Sequence, residues 1–299
     1  ARAQLLGAAS LQWKLPVAEL QMDDGVVSHP SGPRATLADL ARQAAATPAG
    51  TVSLTPPSSW TLLGTPAPRT DTRAKIDGSA RFGIDQRQPG QVYAAIAHGA
   101  AFGAGVGAVD VDAVLRRPGV LRVVRLPPLA GAAPALAVVA RGSWVALQAA
   151  RALSDDAGQW QPPPGPPPDS AHIARQLDAA AERAADGLDG FAFRDQGDAL
   201  TALAAAARGR TVVEAHYRVP YLAHATMEPM NCTAQVADGR VRLWAPTQVP
   251  SFARAVAARV AGVDEDAVEL HVPYLGGGFG RRLEVDVVAQ AVRVALETG

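Results

Sequence analysis

Six prolines in seven positions, Pro162-Pro163-Pro164-Gly165-Pro166-Pro167-Pro168, restrict the fold more than any other stretch of the chain. Each proline lacks an amide donor and fixes φ near −65°, so neither a helix interior nor a central strand can pass through them. The run reads as a semi-rigid extended spacer, and folding must resume beyond it. A second break lies between Thr55 and Pro68, where Pro56, Pro57, Pro66 and Pro68 again exclude regular structure. Together these divide the chain into residues 1–64, 65–160, a linker at 161–170, and 171–299.

The length of 299 residues agrees with that division, at about 100 to 200 residues per domain. Lys+Arg and Asp+Glu balance at 28 each, which removes the positive field that nonspecific nucleic-acid binding needs. Nearly all the basic charge is arginine, Lys14 and Lys75 being the only lysines. No stretch approaches the roughly 20 apolar residues of a membrane span, and no basic-then-apolar leader opens the chain. The single cysteine, Cys232, excludes an internal disulfide framework or an iron–sulfur cluster held by this chain alone. The helix-like start at Ala1 and the helix pattern running to Thr298 read as the two cut ends of an internal fragment.

Hydrophobic periodicity predicts a helix over Arg2 to Trp13, a short strand at Val26-Val27, and a helix from Thr36, which Thr36 can cap with Asp39 three residues on. The next part alternates: strands at Ala80 to Ile84, Val92 to His98, Leu121 to Leu126 and Leu136 to Ala140, with helices at Val111 to Arg117 and Ser143 to Leu153. Past the spacer come a helix at Ala171 to Ala185, a strand at Thr211 to Val219, and a hairpin of Thr233 to Val236 and Arg240 to Ala245 turning at Ala237-Asp238-Gly239. A helix at Ser251 to Val260, a strand at Ala267 to Val272, a glycine loop and a terminal helix complete an α+β chain.

The segment Gly103-Ala104-Gly105-Val106-Gly107-Ala108 matches a dinucleotide fingerprint only superficially, since no helix opens on it with an acidic residue about 20 positions later; it reads as a structural loop. The histidines form no metal-ligand pair, and no serine sits in a nucleophile elbow. The strongest local signal is Leu275-Gly276-Gly277-Gly278-Phe279-Gly280-Arg281-Arg282, between a strand and a helix. Its glycines let backbone amides approach a ligand, and Arg281 and Arg282 add positive charge, so the loop suits an anionic or oxo group. The P-loop spacing is absent. Gln248, after Trp244-Ala245-Pro246-Thr247, stands where a strand ends and a helix begins, placed to donate from its side-chain amide into a cleft. The loop from Tyr221 to Cys232 brings His224, Met227, Glu228 and Asn231.

In this order, His224-Ala225-Thr226-Met227-Glu228-Pro229, Pro246-Thr247-Gln248 and Gly276-Gly277-Gly278-Phe279-Gly280 resemble the molybdenum-binding large subunit of the xanthine dehydrogenase and aldehyde oxidase family. Within it, the beta subunits of the isoquinoline 1-oxidoreductase branch are the most similar. Pro68-Arg69-Thr70-Asp71, Lys75-Ile76-Asp77-Gly78 and Phe82-Gly83-Ile84-Asp85 are similar to the approach to that family's α/β hammerhead domain, with Asp110 and Pro118-Gly119-Val120 further along it.

The resemblance implies a hammerhead domain flanked by parts of the molybdopterin-binding domain, the segment 1–64 being part of the latter. It implies a molybdenum–molybdopterin cofactor in its cytosine dinucleotide form, oxidation of an aromatic N-heterocycle or aldehyde with oxygen from water, and [2Fe-2S] clusters on a small partner subunit. Gln248 would hydrogen-bond an oxo ligand of molybdenum. Gly277, Gly278, Phe279, Gly280 and Arg281 would contact the cofactor, with Gln248 and Phe279 nearest the molybdenum ligands. Glu228, in the family's acidic loop, would serve a structural role or support the cofactor's neighbours from behind, more than a catalytic one. The family's general base lies far C-terminal, so the resemblance places no catalytic residue before Gly299 and implies an inactive fragment in a cytoplasmic or periplasmic enzyme. Arg281-Arg282-Leu283 replaces the Gly-Lys-Glu of many relatives, which separates this chain from the xanthine enzymes. The residues alone leave two other readings open: a noncatalytic anion- or nucleotide-binding module built on Gly276–Gly280 with Arg281 and Arg282, or a scaffold domain docking an iron–sulfur partner.

Overall fold

A computed structural model of the chain describes all residues except 51, 53, 166–168, 186–189, 192, 195 and 207–211, and leaves the side chain of residue 157 undescribed. It divides into two compact units, Ala1–Arg73 and Ala74–Gly299.

In the first unit, helix α1 (Arg2–Trp13) precedes a small antiparallel sheet of β1 (Gln21–Asp23), β2 (Val26–Ser28) and β3 (Arg34–Thr36), followed by α2 (Leu37–Ala45). Thr36 and Asp39 form the predicted cap reciprocally. The Asp39 amide donates to Thr36 Oγ1 at 3.2 Å, and Asp39 Oδ2 accepts from the Thr36 amide at 2.9 Å. Ala9, Leu20, Val27 and Leu40 close the core between helices and sheet.

The division falls inside the short helix α3 (Thr72–Ile76). In the second unit, β4 (Tyr93–Ala97), β6 (Val120–Leu126) and β7 (Ala135–Ala140) make an antiparallel sheet with β7 in the centre. Between them lie β5 (Gly105–Val106) and α4 (Val111–Leu115), which Asp110 caps through the Ala113 amide at 2.9 Å. All six residues of β7 are buried. Successive strand side chains face opposite ways, so Leu136, Val138 and Ala140 meet Ala146, Ala149, Ala150 and Leu153 of α5 (Ser143–Asp155), while Ala135, Ala137 and Val139 pack with Val294 behind.

After β8 (Trp160–Gln161) come α6 (Ser170–Ala185) and α7 (Ala199–Ala206), neither burying a side chain. The predicted hairpin forms from β9 (Thr233–Ala237) and β10 (Arg240–Trp244), its turn residues Asp238 and Gly239 having φ of 52° and 69°. Helix α8 (Pro250–Ala261) then crosses to β11 (Val268–His271), which pairs parallel to β10 with Trp244 opposite His271. Helix α9 (Asp286–Thr298) packs beside α8, and Val241, Leu243, Val256, Val285, Val288 and Val292 fill the core.

Two strand expectations fail. Ala80 to Ile84 is not a strand: Phe82 makes one parallel bridge to Tyr274, and the chain curls into a 3-10 turn at Gly83–Asp85. The reason is carboxylate competition, because Asp85 takes the Phe82 amide at 3.0 Å and Glu228 takes the Ile84 amide at 2.9 Å. The strand predicted over Thr211 to Val219 begins at residue 211, outside the described residues; from 212 to 219 no strand forms. There Arg218 and His216 reach Asp178 of α6, while Val213, Tyr217 and Val219 are about nine-tenths exposed, with no strand among the described residues paired to them. The proline spacer lies partly on 166–168, outside the described residues. Around Gly103–Ala108, β5 pairs with β8, and a Cβ on Gly107 would lie 2.9 Å from the Gln159 carbonyl oxygen.

Candidate functional site

The three motif segments meet at one buried ion pair. Arg282 Nη2 lies 2.9 Å from Glu228 Oε2, and both side chains are almost wholly shielded, at 0% and 4% exposure. A buried pair is tolerable only when its remaining donors and acceptors are also satisfied, and here they are. Glu228 Oε1 accepts from the Ile84 amide at 2.9 Å and from Asn231 Nδ2 at 2.8 Å, and Oε2 also accepts from the Gly276 amide at 2.9 Å. Arg282 Nε donates to Gly277 O at 2.7 Å, Nη1 to Pro246 O at 3.3 Å, and Nη2 also to Glu228 O at 2.9 Å. Burial lowers the Arg282 guanidinium from its ordinary value; the charge of Glu228 opposes this and that of Arg281 adds to it.

The main chain of Arg282 completes the junction. Its carbonyl accepts from the Gln248 amide at 3.0 Å and from Thr247 Oγ1 at 3.2 Å. Gln248 therefore sits against the glycine loop, just before the N-terminus of α8. Its Oε1 accepts from the Gly280 amide at 3.3 Å. Among the described residues the Gln248 side-chain NH2 has no acceptor, and neither do the backbone N–H groups of Gly277, Gly278 and Phe279.

Phe279 is held at φ 53°, flanked by Gly277 at 98° and Gly280 at 93°, and its side chain is 73% exposed. A left-handed phenylalanine costs on the order of 1–3 kcal/mol, a strain that gathers at functional sites. Ala225 is held the same way at φ 45°, and His224 Nε2 would lie 4.0 Å from a Cβ on Gly280. Met227 is exposed, and Thr226 Oγ1 donates to Glu228 O at 2.7 Å.

The site thus unites Gln248, Gly277, Gly278, Phe279 and Gly280. The two arginines do not present free charge, as the sequence led one to expect: Arg281 is bound through both terminal nitrogens to Asp286, at 2.9 and 2.7 Å, and Arg282 is spent on Glu228. That pairing holds the Arg281 guanidinium above its ordinary value. Sequence reasoning missed the Ile84 amide as part of the junction, because the turn at Gly83 reads as a strand.

A strand-to-helix glycine loop with unpaired amides, facing a side-chain amide at a second helix start, is an arrangement able to receive an oxygen-rich group. Residues 186–299 match the family described as "Molybdopterin cofactor-binding domain". The chain is 30% identical, over 338 aligned positions covering 100% of it, to the beta subunit of isoquinoline 1-oxidoreductase from Brevundimonas diminuta. It is 29% identical over 98% of its length to a subunit of nicotinate dehydrogenase from Pseudomonas putida. It spans 42% and 24% of those relatives' own lengths. Its fold superposes on the crystal structure of the Cu,Mo-CO dehydrogenase with a TM-score of 0.57 at 21% identity, over 79% of this chain and 34% of the other. Residues 186–299 thus carry a molybdopterin cofactor-binding domain, and the chain as a whole is similar to the molybdenum-binding large subunits of the xanthine dehydrogenase and aldehyde oxidase family, the isoquinoline 1-oxidoreductase branch among them.

The residues fit the cofactor that this family implies. Three consecutive unpaired amides and the side-chain NH2 of Gln248 form a donor set suited to oxygen and pterin acceptors. The backbone there also comes close: a Cβ on Gly278 would lie 2.6 Å from Gln248 Oε1.

Proposed function

We propose that this chain is part of a molybdenum hydroxylase catalytic subunit and forms one wall of its molybdopterin site. The carrying observation is the donor surface of Gly277, Gly278, Phe279 and Gln248, fixed by the buried pair of Glu228 and Arg282. Bound there, the cofactor supplies two-electron oxidation of an aromatic N-heterocycle or an aldehyde, with oxygen from water. Gln248, its oxygen engaged by the Gly280 amide, would have its side-chain NH2 left to donate to an oxygen ligand of molybdenum. The amides of Gly277, Gly278 and Phe279 would hold acceptor atoms of the cofactor. Arg281, committed to Asp286, shapes the loop from the side.

Glu228 cannot serve as the general base, since two backbone amides, the Asn231 carboxamide and a guanidinium saturate it. In keeping with the resemblance, which puts the general base far C-terminal, we take the base to come from outside this site and expect no turnover from the 299 residues alone. The hammerhead is assigned to 65–160 and the first part of the cofactor domain to 171–299. The cofactor is the cytosine dinucleotide form, and electrons leave through [2Fe-2S] clusters on a small partner subunit. The pairing of both arginines with carboxylates weighs against a simple anion- or nucleotide-binding module.

The test is elemental and nucleotide analysis of the protein at its natural length, made in cells that synthesise molybdopterin. Near-stoichiometric molybdenum with released CMP is the expected result. A folded, partnered protein without molybdenum overturns the reading, and turnover of a heterocycle by the 299 residues alone overturns the placement of the base.

A further inference from the structure

We propose that Glu228 and Arg282 are positioning residues for the cofactor, and that through Glu228 the turn at Gly83–Asp85 belongs to the same support. This rests on the cofactor-site reading above and assigns a task to residues that touch no cofactor themselves. Connectivity carries the assignment. Arg282 holds the glycine loop with its guanidinium, through Gly277 O, and holds Gln248 with its carbonyl, through the Gln248 amide. One residue thereby sets the distance between the two donor groups of the site. Glu228 does the complementary work from the other side. It receives the Gly276 amide where the loop begins, and its own amide donates to Gly276 O at 3.0 Å, so loop and acidic segment are bonded both ways.

Glu228 Oε1 also reaches the Ile84 amide, 144 residues away in sequence. Phe82 makes a parallel bridge and a tilted ring contact, 6.1 Å between centroids, with Tyr274 just before the loop. A Cβ on Gly83 would lie 2.5 Å from Asn231 Oδ1 and 2.6 Å from Pro246 Cγ, so the turn is seated against both other segments. A loop of four glycines in five positions has a large conformational entropy to lose. The pair removes that freedom before the ligand arrives, and preorganisation of this kind raises affinity without a new ligand contact.

Charge alone does not suffice for this arrangement, because Arg282 uses three different nitrogens on four acceptors. Lysine keeps the charge but cannot span Gly277 O, Pro246 O and Glu228 together. Glu228→Gln keeps the size but places an NH2 against two existing donors, whichever way the amide turns.

The experiment compares wild type, Arg282→Lys and Glu228→Gln at natural length, made in cofactor-producing cells. Molybdenum is measured per folded chain, and amide hydrogen exchange is followed in 274–283 and, separately, in 288–294 of α9. We expect folded variants in which exchange rises by about tenfold more in the loop than in α9, with molybdenum affinity lower by about 10- to 100-fold, as for other outer-shell partners. Loading and loop exchange equal to wild type overturn the proposal. So does a parallel rise of exchange in loop and α9, or failure of both variants to fold, since either makes the pair merely structural. If wild type itself carries no molybdenum, the cofactor reading fails, while loop exchange in the apoprotein still decides whether the pair positions the loop.

Discussion

Gly278 and Gln248 are in such close register that a single methyl group on the glycine would stand 2.6 Å from Gln248 Oε1 and 3.1 Å from Cδ. Gly278→Ala is therefore expected to turn the carboxamide away and break its bond from the Gly280 amide. Molybdenum content should fall while the melting temperature changes by only a few degrees. Elemental analysis beside a thermal melt reads both.

Gly276→Ala should behave differently. Its Cβ would lie 2.3 Å from Glu228 Cβ and 3.3 Å from that residue's backbone, with no flexible tip to yield. Overpacking of this kind costs about 1–3 kcal/mol. A denaturant titration should show a lower midpoint with an unchanged slope.

Glu228→Ala leaves the Arg282 guanidinium buried without its counter-charge. Breaking one partner of such a pair costs about 3–5 kcal/mol. Chemical denaturation monitored through the β9–β11 core should register the whole loss, and unchanged stability would refute the account of the junction.

These three variants show which parts of the site the sequence makes legible. The Gly276–Gly280 loop, Gln248 and the acidic segment are each local patterns, readable because glycine content, a helix start and a carboxylate keep their meaning in isolation. The burial of Arg282 is not local. An arginine after a glycine loop reads as exposed charge until its acceptors at 228, 246 and 277 are known. Ala80 to Ile84 misleads for the same reason, since the carboxylate that captures the Ile84 amide comes from another segment. Residues 212–219 show the converse: their alternation is that of a strand, but a strand also needs an edge to pair with.

In the first unit, the Asp39 carboxyl sits below its ordinary value of 3.8 because of its side-chain and then its backbone hydrogen bond with Thr36. A depressed carboxylate contributes stability that is full above the ordinary value and fades as pH falls through the lower folded one. Thr36→Ala should therefore destabilise α2 at neutral pH, with the difference from wild type shrinking in acid. Thermal melts across that range check the sign.

Cys232 packs against the β9–β11 core, and burial pushes its thiol up to about 12. At pH 8 it should resist iodoacetamide in the folded protein and react fully once unfolded. Mass spectrometry of the alkylated chain distinguishes the two.

Helix α9 shows two faces to two cores. Val288 and Val292 lie in the core of the β9–β11 sheet, whereas Val294, two residues and about 200° further round, packs behind β7. Neither sheet can therefore lose its grip on α9 without uncovering the other. The two lobes of this unit should melt as one, in a single calorimetric transition, however far apart their strands lie along the chain.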